Sequence, residues 1–164
     1  MTYRIESLAS GHRREAFSCG IEELDRYLMT QASQDVRRNV ANCFVAIVTD
    51  TGAIAGFYTL AAASIPLAEL PAEQARRLPR YPVLPAALIG RLAIDRGHAG
   101  KSLGSALLFD AIERAAAAAP AIFALIVDAK SDNAGRFYTH FGFQPFTSRP
   151  LSFFLPMATA RKLL

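Results

Sequence analysis

Hydrophobic and polar positions alternate, or recur at helical spacing, in a way that predicts an ordered series of strands and helices. Residues 3–8 alternate as a first strand, and a loop through Gly11 and Arg14 then leads to Phe17, Ser18, Cys19 and Gly20. Ile21, Leu24, Leu28, Ala32 and Val36 follow at helical spacing, with Glu22, Glu23 and Asp25 in the first turn, where the helix dipole favours negative charge. That stripe predicts a helix packed on the core. Residues 43–49 and 54–63 read as antiparallel strands joined by a short turn at Asp50, Thr51 and Gly52.

Residues 64–85 carry Pro66, Pro71, Pro79, Pro82 and Pro85, which predicts a surface excursion with a short helical stretch over 72–78. Residues 87–95 read as a central strand that runs into a loop holding Gly97, Gly100 and Gly104. A helix follows with Leu103, Leu107, Leu108, Ala111, Ile112 and Ala115 on its apolar face, ended by Pro120. Residues 121–127 predict a second buried strand, and 132–141 a short helix stopped by Gly142 as a left-handed cap. Phe143 and residues 151–155 close the sheet. The pattern is that of an α/β (α+β) chain.

Composition narrows the class. The chain has 164 residues, 52% of them hydrophobic, enough for one two-layer core, so a single domain over residues 1–164 is expected. No apolar run approaches the roughly 20 residues that span a bilayer. The first residues, Thr2, Tyr3, Arg4, Ile5 and Glu6, do not form a signal-peptide core. A soluble, cytoplasmic protein is expected. Cys19 and Cys43 form no CxxC and are expected to be reduced and buried; no metal site is expected. A catalytic thiol would need a base nearby, and His12, His98 and His140 show no such spacing.

Charge adds a partner class. The net charge is +4, and of 18 basic residues 15 are arginines, the side chain best fitted to phosphate. Over residues 76–101, Arg76, Arg77, Arg80, Arg91, Arg96 and Lys101 face only Asp95 as a counter-charge. A polyanion or a phosphorylated cofactor fits this stretch; a solvated basic face fits it as well.

A strand, a glycine-bearing loop and a helix start make an anion site, because free N–H groups and the helix dipole point at the same place. Residues 95–104 have that form. They are not a P-loop: Gly100-Lys101-Ser102 looks like the end of one, but Asp95 stands where its first glycine belongs. The combination of Arg91-Leu92-Ala93-Ile94-Asp95 before the loop and Leu103-Gly104-Ser105-Ala106-Leu107-Leu108 after it resembles the acetyl-CoA signature of GNAT acetyltransferases, Q/R-x-x-G-x-G/A. The signature falls on Ala99, Gly100, Lys101, Ser102, Leu103 and Gly104. Ala99 departs from the usual Gln or Arg and Ser102 from the first Gly, which bears on cofactor affinity. The resemblance implies the GNAT fold, a mixed, mostly antiparallel sheet flanked by helices. It also implies acetyl-CoA as acetyl donor, with backbone contacts from Leu92, Ala93 and Ile94.

A second GNAT signature, Ala-x-x-Phe-Tyr-x-x-x-Gly-Phe, is resembled by Ala134, Phe137-Tyr138 and Gly142-Phe143. It implies that Tyr138 lies near the thioester, with Asn133 and Phe137 beside the cofactor. A phenol of pKa about 10 stays protonated at neutral pH, so Tyr138 is the expected general acid for the departing thiolate. Read as residues alone, a Phe-Tyr pair on an amphipathic helix is equally a packing element. Glu69, Glu73 and Asp95 are undistinguished candidates for a base. An α-amine of pKa near 7.7 needs such help less than a lysine near 10.4.

Several segments are similar, in order and spacing, to the GNAT toxins of toxin–antitoxin pairs. They are Phe17-Ser18-Cys19-Gly20, Leu24-Asp25, Tyr27-Leu28, Gly56-Phe57-Tyr58-Thr59-Leu60, Leu78-Pro79-Arg80-Tyr81-Pro82, Gly90 to Asp95 and Val127-Asp128-Ala129-Lys130. The resemblance implies acetylation of the α-amino group of aminoacyl-tRNA, which stops translation. Arg77, Arg80 and Arg91, with Arg37, Arg38 and Lys130, are then expected to hold tRNA phosphates. It further implies homodimerisation and a ribbon-helix-helix antitoxin, with operator DNA bound only through the antitoxin complex. Two alternatives stay open: a GNAT enzyme for a small amine or a protein lysine, and a non-catalytic binding module.

Overall fold

The computed structural model describes residues 2–164. Seven strands form one mixed sheet in the order β1-β2-β3-β4-β5-β7-β6. They are β1 (Tyr3–Ser7), β2 (Asn42–Val48), β3 (Ile54–Pro66), β4 (Val83–Ile94), β5 (Ala124–Asp128), β6 (Gln144–Pro145) and β7 (Ser152–Pro156). β1 and β2, β2 and β3, β5 and β7, and β6 and β7 pair antiparallel, while β4 and β5 pair parallel. The helices are α1 (Glu22–Arg26), α2 (Ala32–Arg37), α3 (Ala72–Ala75), α4 (Leu103–Ala116), α5 (Asp132–His140) and α6 (Met157–Ala160). No helix among the described residues is long and apolar enough to cross a membrane.

The chain packs as two compact units. The first takes the chain up to Ala61 and then Gly90–Ala111; the second takes Ala62–Ile89 and Ile112–Leu164. In the first unit Phe17, Leu24, Tyr27, Leu28 and Ala32 pack with Cys43, Val45, Ile47, Ile54, Phe57 and Ala93. The helical stripe read from the sequence therefore does line a core, but Ile21 does not: it precedes the first turn and is 49% exposed. Between α1 and α2 the helix widens into a π-helical turn, Tyr27–Gln31, closed by the Ala32 N–H donating to the Tyr27 carbonyl. The neighbours Tyr27 and Leu28 are both buried there. Asn39, at φ 58°, ends α2 in the left-handed region, which asparagine tolerates.

In the second unit Ile65, Leu70, Leu84 and Ala86 pack with Ala124, Ile126, Phe146 and Phe154. The proline-rich excursion is shorter than the sequence suggests, because β3 runs on to Pro66 and β4 begins at Val83. Pro85 lies inside β4, next to the first paired residue, Ala86. It still takes part through its acceptor, since its carbonyl accepts the Phe123 N–H at 2.9 Å. The Leu67 N–H donates to the Pro82 carbonyl at 3.0 Å and pins the two ends of the excursion together. The helix expected over 72–78 is the single turn α3. The strand expected over 121–127 is β5, and the chain beyond β7 folds into α6, which the sequence reading did not foresee. Both cysteines are free thiols; Cys43 is buried as expected, whereas Cys19 is only half-buried.

Candidate active site

The loop after β4 is built by one carboxylate. Asp95 accepts the Gly97 N–H on Oδ2 at 2.9 Å, capping a 3-10 turn at Arg96–His98, and accepts the Ser18 N–H on Oδ1 at 2.9 Å. The Arg96 N–H donates to the Ser18 carbonyl and its guanidinium to Ser18 Oγ, both at 2.8 Å. The Phe17-Ser18-Cys19-Gly20 segment is thus the buttress of this loop. Ala99, Gly100, Lys101 and Ser102 are all exposed, and a Cβ built on Gly100 would meet nothing within 4 Å. Gly100, at φ 77°, and Ser102, at φ 60°, turn the chain through left-handed conformations into α4. The Ser102 carbonyl accepts the Ala106 N–H at 3.2 Å, and buried Leu103 anchors the helix. The first N–H groups of α4 have no partner within the helix, so the open loop and the helix start together suit a diphosphate.

Before the loop, Ala93 is buried and Leu92 and Ile94 are half-buried. Gly56 of β3 lies against this strand so closely that a Cβ there would stand 3.0 Å from the Ala93 carbonyl oxygen. One rung of β4 is tied by a side chain: Thr59, 2% exposed, accepts the Arg91 N–H on Oγ1 at 3.1 Å. The Arg91 guanidinium lies 3.6 Å from the centre of the Tyr27 ring, a cation–π stack. A cavity of about 410 Å³ beside the loop is lined by Arg13, Phe17, Ile54, Asp95 and His98, among others.

Tyr138 is placed by α5 in the second unit. Ser131 caps that helix by accepting the Ala134 N–H, and Gly135 lets it sit against Phe153, where an added Cβ would come within 3.2 Å of the ring. The Tyr138 carbonyl accepts the Phe141 and Phe143 N–H groups, and Gly142, at φ 97°, makes the left-handed turn expected of it. The Tyr138 ring is 7% exposed and packs edge-on against Phe137 and Phe143. Its hydroxyl makes no hydrogen bond among the described residues, and burial pushes its pKa up to about 12. The sequence posed packing against chemistry for this tyrosine; the ring packs, and the hydroxyl is left without a protein partner among the described residues. Phe137 is half-buried, and Asn133 is exposed with its side-chain carbonyl accepting from Arg136.

The remaining expected residues divide by exposure. In the first unit Arg37 and Arg38 are exposed at the end of α2, while Arg91 is half-buried. In the second unit Arg77, Arg80 and Lys130 are exposed, with Arg77 3.6 Å from Glu73. The three carboxylates considered as bases are all engaged. Glu69 pairs with Arg149 at 3.2 Å, Glu73 with Arg76 and Arg77, and Asp95 with backbone N–H groups. Sequence reasoning did not single out Tyr27 and Thr59 as contacts of Arg91, nor Asp35, whose Oδ2 accepts the Tyr27 hydroxyl. Tyr27 and Asp35 are eight apart, a spacing that marks no motif, and only the π-helical turn gives it meaning.

The family model of the acetyltransferase (GNAT) family matches residues 6–143. A tRNA-acetylating toxin of Mycobacterium tuberculosis is 40% identical over 151 residues, 91% of this chain and 89% of the toxin. A probable toxin TacT of Sinorhizobium fredii is 32% identical over 162 residues, 93% of this chain and 90% of TacT. Among solved structures, AtaT complexed with acetyl-methionyl-tRNAfMet superposes with a TM-score of 0.92 at 27% identity, covering 99% of both chains. Other similar structures hold AtaTR with acetyl-CoA, AtaT with the C-terminus of its antitoxin AtaR, and the AtaT-AtaR complex on DNA. The matched span takes in the Asp95–Gly104 loop and the Tyr138 helix alike, and the chain belongs to the GNAT acetyltransferase family.

Proposed function

We propose that this enzyme transfers acetyl from acetyl-CoA to the α-amino group of an amino acid esterified to tRNA, and thereby blocks translation as a toxin. The observation that carries the reading is the 40% identity, through 91% of the chain, to a tRNA-acetylating toxin. Three engaged carboxylates add to it, since an α-amine near pKa 7.7 has a substantial neutral fraction near neutral pH and needs less help from a base than a lysine does.

Acetyl-CoA supplies the acetyl group as a thioester. Ala99, Gly100, Lys101, Ser102, Leu103 and Gly104 hold its diphosphate at the start of α4, Leu92, Ala93 and Ile94 align its arm by backbone pairing, and Asn133 and Phe137 flank it. As the amine displaces sulfur from the acetyl carbon, the Tyr138 hydroxyl donates its proton to the departing sulfur, and the amine's proton passes to solvent. A phenol raised to about 12 is protonated at every working pH and, among the described residues, has no acceptor competing for its hydrogen. Arg77, Arg80, Arg91, Arg37, Arg38 and Lys130 hold the nucleic acid, largely without regard to sequence.

The chain acts as one catalytic domain, as a homodimer, in the cytoplasm where charged tRNA is found. Its activity is held off by an antitoxin with a ribbon-helix-helix DNA-binding part, and operator DNA is bound only through that complex. The AtaR and DNA complexes of AtaT support an antitoxin and DNA binding through its complex. The test incubates the protein with labelled acetyl-CoA and matched charged and uncharged tRNA, with Tyr138→Phe in parallel. Label on charged tRNA alone, lost in the variant, is the expected result. Label on free amines or protein lysines with none on tRNA would replace this reading with the small-amine or lysine acetyltransferase.

A further inference from the structure

The other arginines expected to hold tRNA are exposed, and Arg91 is set apart from them by its burial and its ring contact. It is half-buried; its guanidinium rests 3.6 Å from the centre of the Tyr27 ring; and among the described residues its guanidinium N–H groups make no hydrogen bond or ion pair. Its donors are not shut away from solvent, so they are open to a ligand, and planar donors of this kind match phosphate oxygens in pairs. The ring beneath it is also held. The Tyr27 hydroxyl donates to Asp35 Oδ2 at 2.7 Å, and Gln31 Nε2 donates to Asp35 Oδ1 at 3.0 Å. Gln31 and Tyr27, with the Arg91 charge as a lesser cause, hold the Asp35 carboxyl below the usual carboxylate range, so this anchor stays ionised. Phe57 stacks on the Tyr27 ring at 6.2 Å, and the Thr59 bond fixes the Arg91 backbone. The π-helical turn places Tyr27 over this strand, a frequent use of such turns at working sites.

We infer that Tyr27, Gln31 and Asp35 are positioning residues that hold the Arg91 guanidinium as a preset receptor for one phosphate of the substrate, with the tRNA backbone as its source. The inference rests on the proposed tRNA reading and deepens it by naming the cation that is preset and what presets it. A phosphate of acetyl-CoA has the same chemistry, so the Michaelis constants for the two substrates separate the sources.

The full-length protein is assayed with labelled acetyl-CoA and charged tRNA as the parent, Tyr27→Leu, Arg91→Lys, the double variant and Tyr27→Phe. Tyr27→Leu and Arg91→Lys should each raise KM for charged tRNA about tenfold while leaving kcat and KM for acetyl-CoA within about twofold. The double variant should be no worse than either alone, because both remove one receptor. Loss of one seated phosphate should also lower the salt slope of tRNA binding by about 0.7–0.9, which a merely loosened core would not do. Tyr27→Phe keeps the core filled and removes only the Asp35 anchor, so it should raise KM for tRNA about threefold. Additive effects, an unchanged salt slope in properly folded Tyr27→Leu, or an unchanged KM for tRNA in Tyr27→Phe, would overturn the inference. A rise confined to KM for acetyl-CoA would overturn the tRNA assignment and give the phosphate to the cofactor. A parent that neither binds nor labels charged tRNA removes the substrate reading itself, before any variant is compared.

Discussion

Ser102 and Tyr138 show what single residues contribute. Ser102 adopts φ 60°, a conformation that costs a residue with a Cβ about 1–3 kcal/mol, at the place where the family signature puts glycine. Ser102→Gly should therefore raise stability by about 0.5–1 kcal/mol after the added entropy of the unfolded chain is subtracted, read as a higher urea midpoint at unchanged slope. A lower midpoint would show that the serine side chain contributes more than its backbone costs. Tyr138→Phe removes a hydroxyl that bonds to no described protein group, so the fold should keep its melting temperature within about 2 °C while kcat falls about 10²–10⁴-fold. The pH profile follows from the sign of the shift: with Tyr138 raised to about 12, the acid stays protonated as pH rises. The reactive amine loses its proton through about 7.7. The rate should climb to that point and then stay level up to pH 10; a descending limb between 8 and 10 would assign the acid to another group. Both signatures were legible by resemblance to the family, whose model covers the span that holds them. The backbone angle of Ser102 was not, since a serine's identity carries no φ.

At the scale of elements, close approach between strands explains a motif that looked unspecific. Gly56 belongs to a short run picked out by resemblance alone, and its reason is the Ala93 carbonyl 3.0 Å from any Cβ placed there. A backbone oxygen in a central strand cannot step aside as a flexible side chain can. Gly56→Ala should cost about 1–3 kcal/mol, measured by chemical unfolding, although alanine is otherwise well tolerated in buried positions. Strand and helix order followed from periodicity, because each element buries one face. Boundaries followed less well where proline was read as a breaker. Pro66 and Pro85 both lie within strands, one at the end of β3 and one near the start of β4. The π-helical turn escaped the reading altogether, since one added residue per turn leaves the apolar spacing of Leu24, Leu28 and Ala32 intact while turning Tyr27 inward.

For the whole molecule, charge is the governing quantity. With net +4 and Arg37, Arg38, Arg77 and Arg80 exposed, binding of charged tRNA should weaken steeply with salt, with a slope that reports the number of phosphates neutralised. Arg37→Glu with Arg38→Glu should flatten that slope while leaving acetyl-CoA affinity within about twofold; an equal loss for both ligands would argue for a general change of fold. The basic composition was plain from the sequence. Which cation is seated and which are free was not, because a count of arginines says nothing about the rings beneath them.

The pinned excursion between Leu67 and Pro82 has a consequence for proteases. Arg76 and Arg77 are exposed in it, yet Ile65 and Leu70 on one side and Leu84 and Ala86 on the other share one buried core. Trypsin cutting after Arg77 should leave two fragments that migrate together in native gels and separate only in denaturant. Such a nicked enzyme would keep the Asp95–Gly104 loop whole while its cut segment, with Arg77 and Arg80, swings loose, so acetyl-CoA binding should survive where tRNA binding weakens.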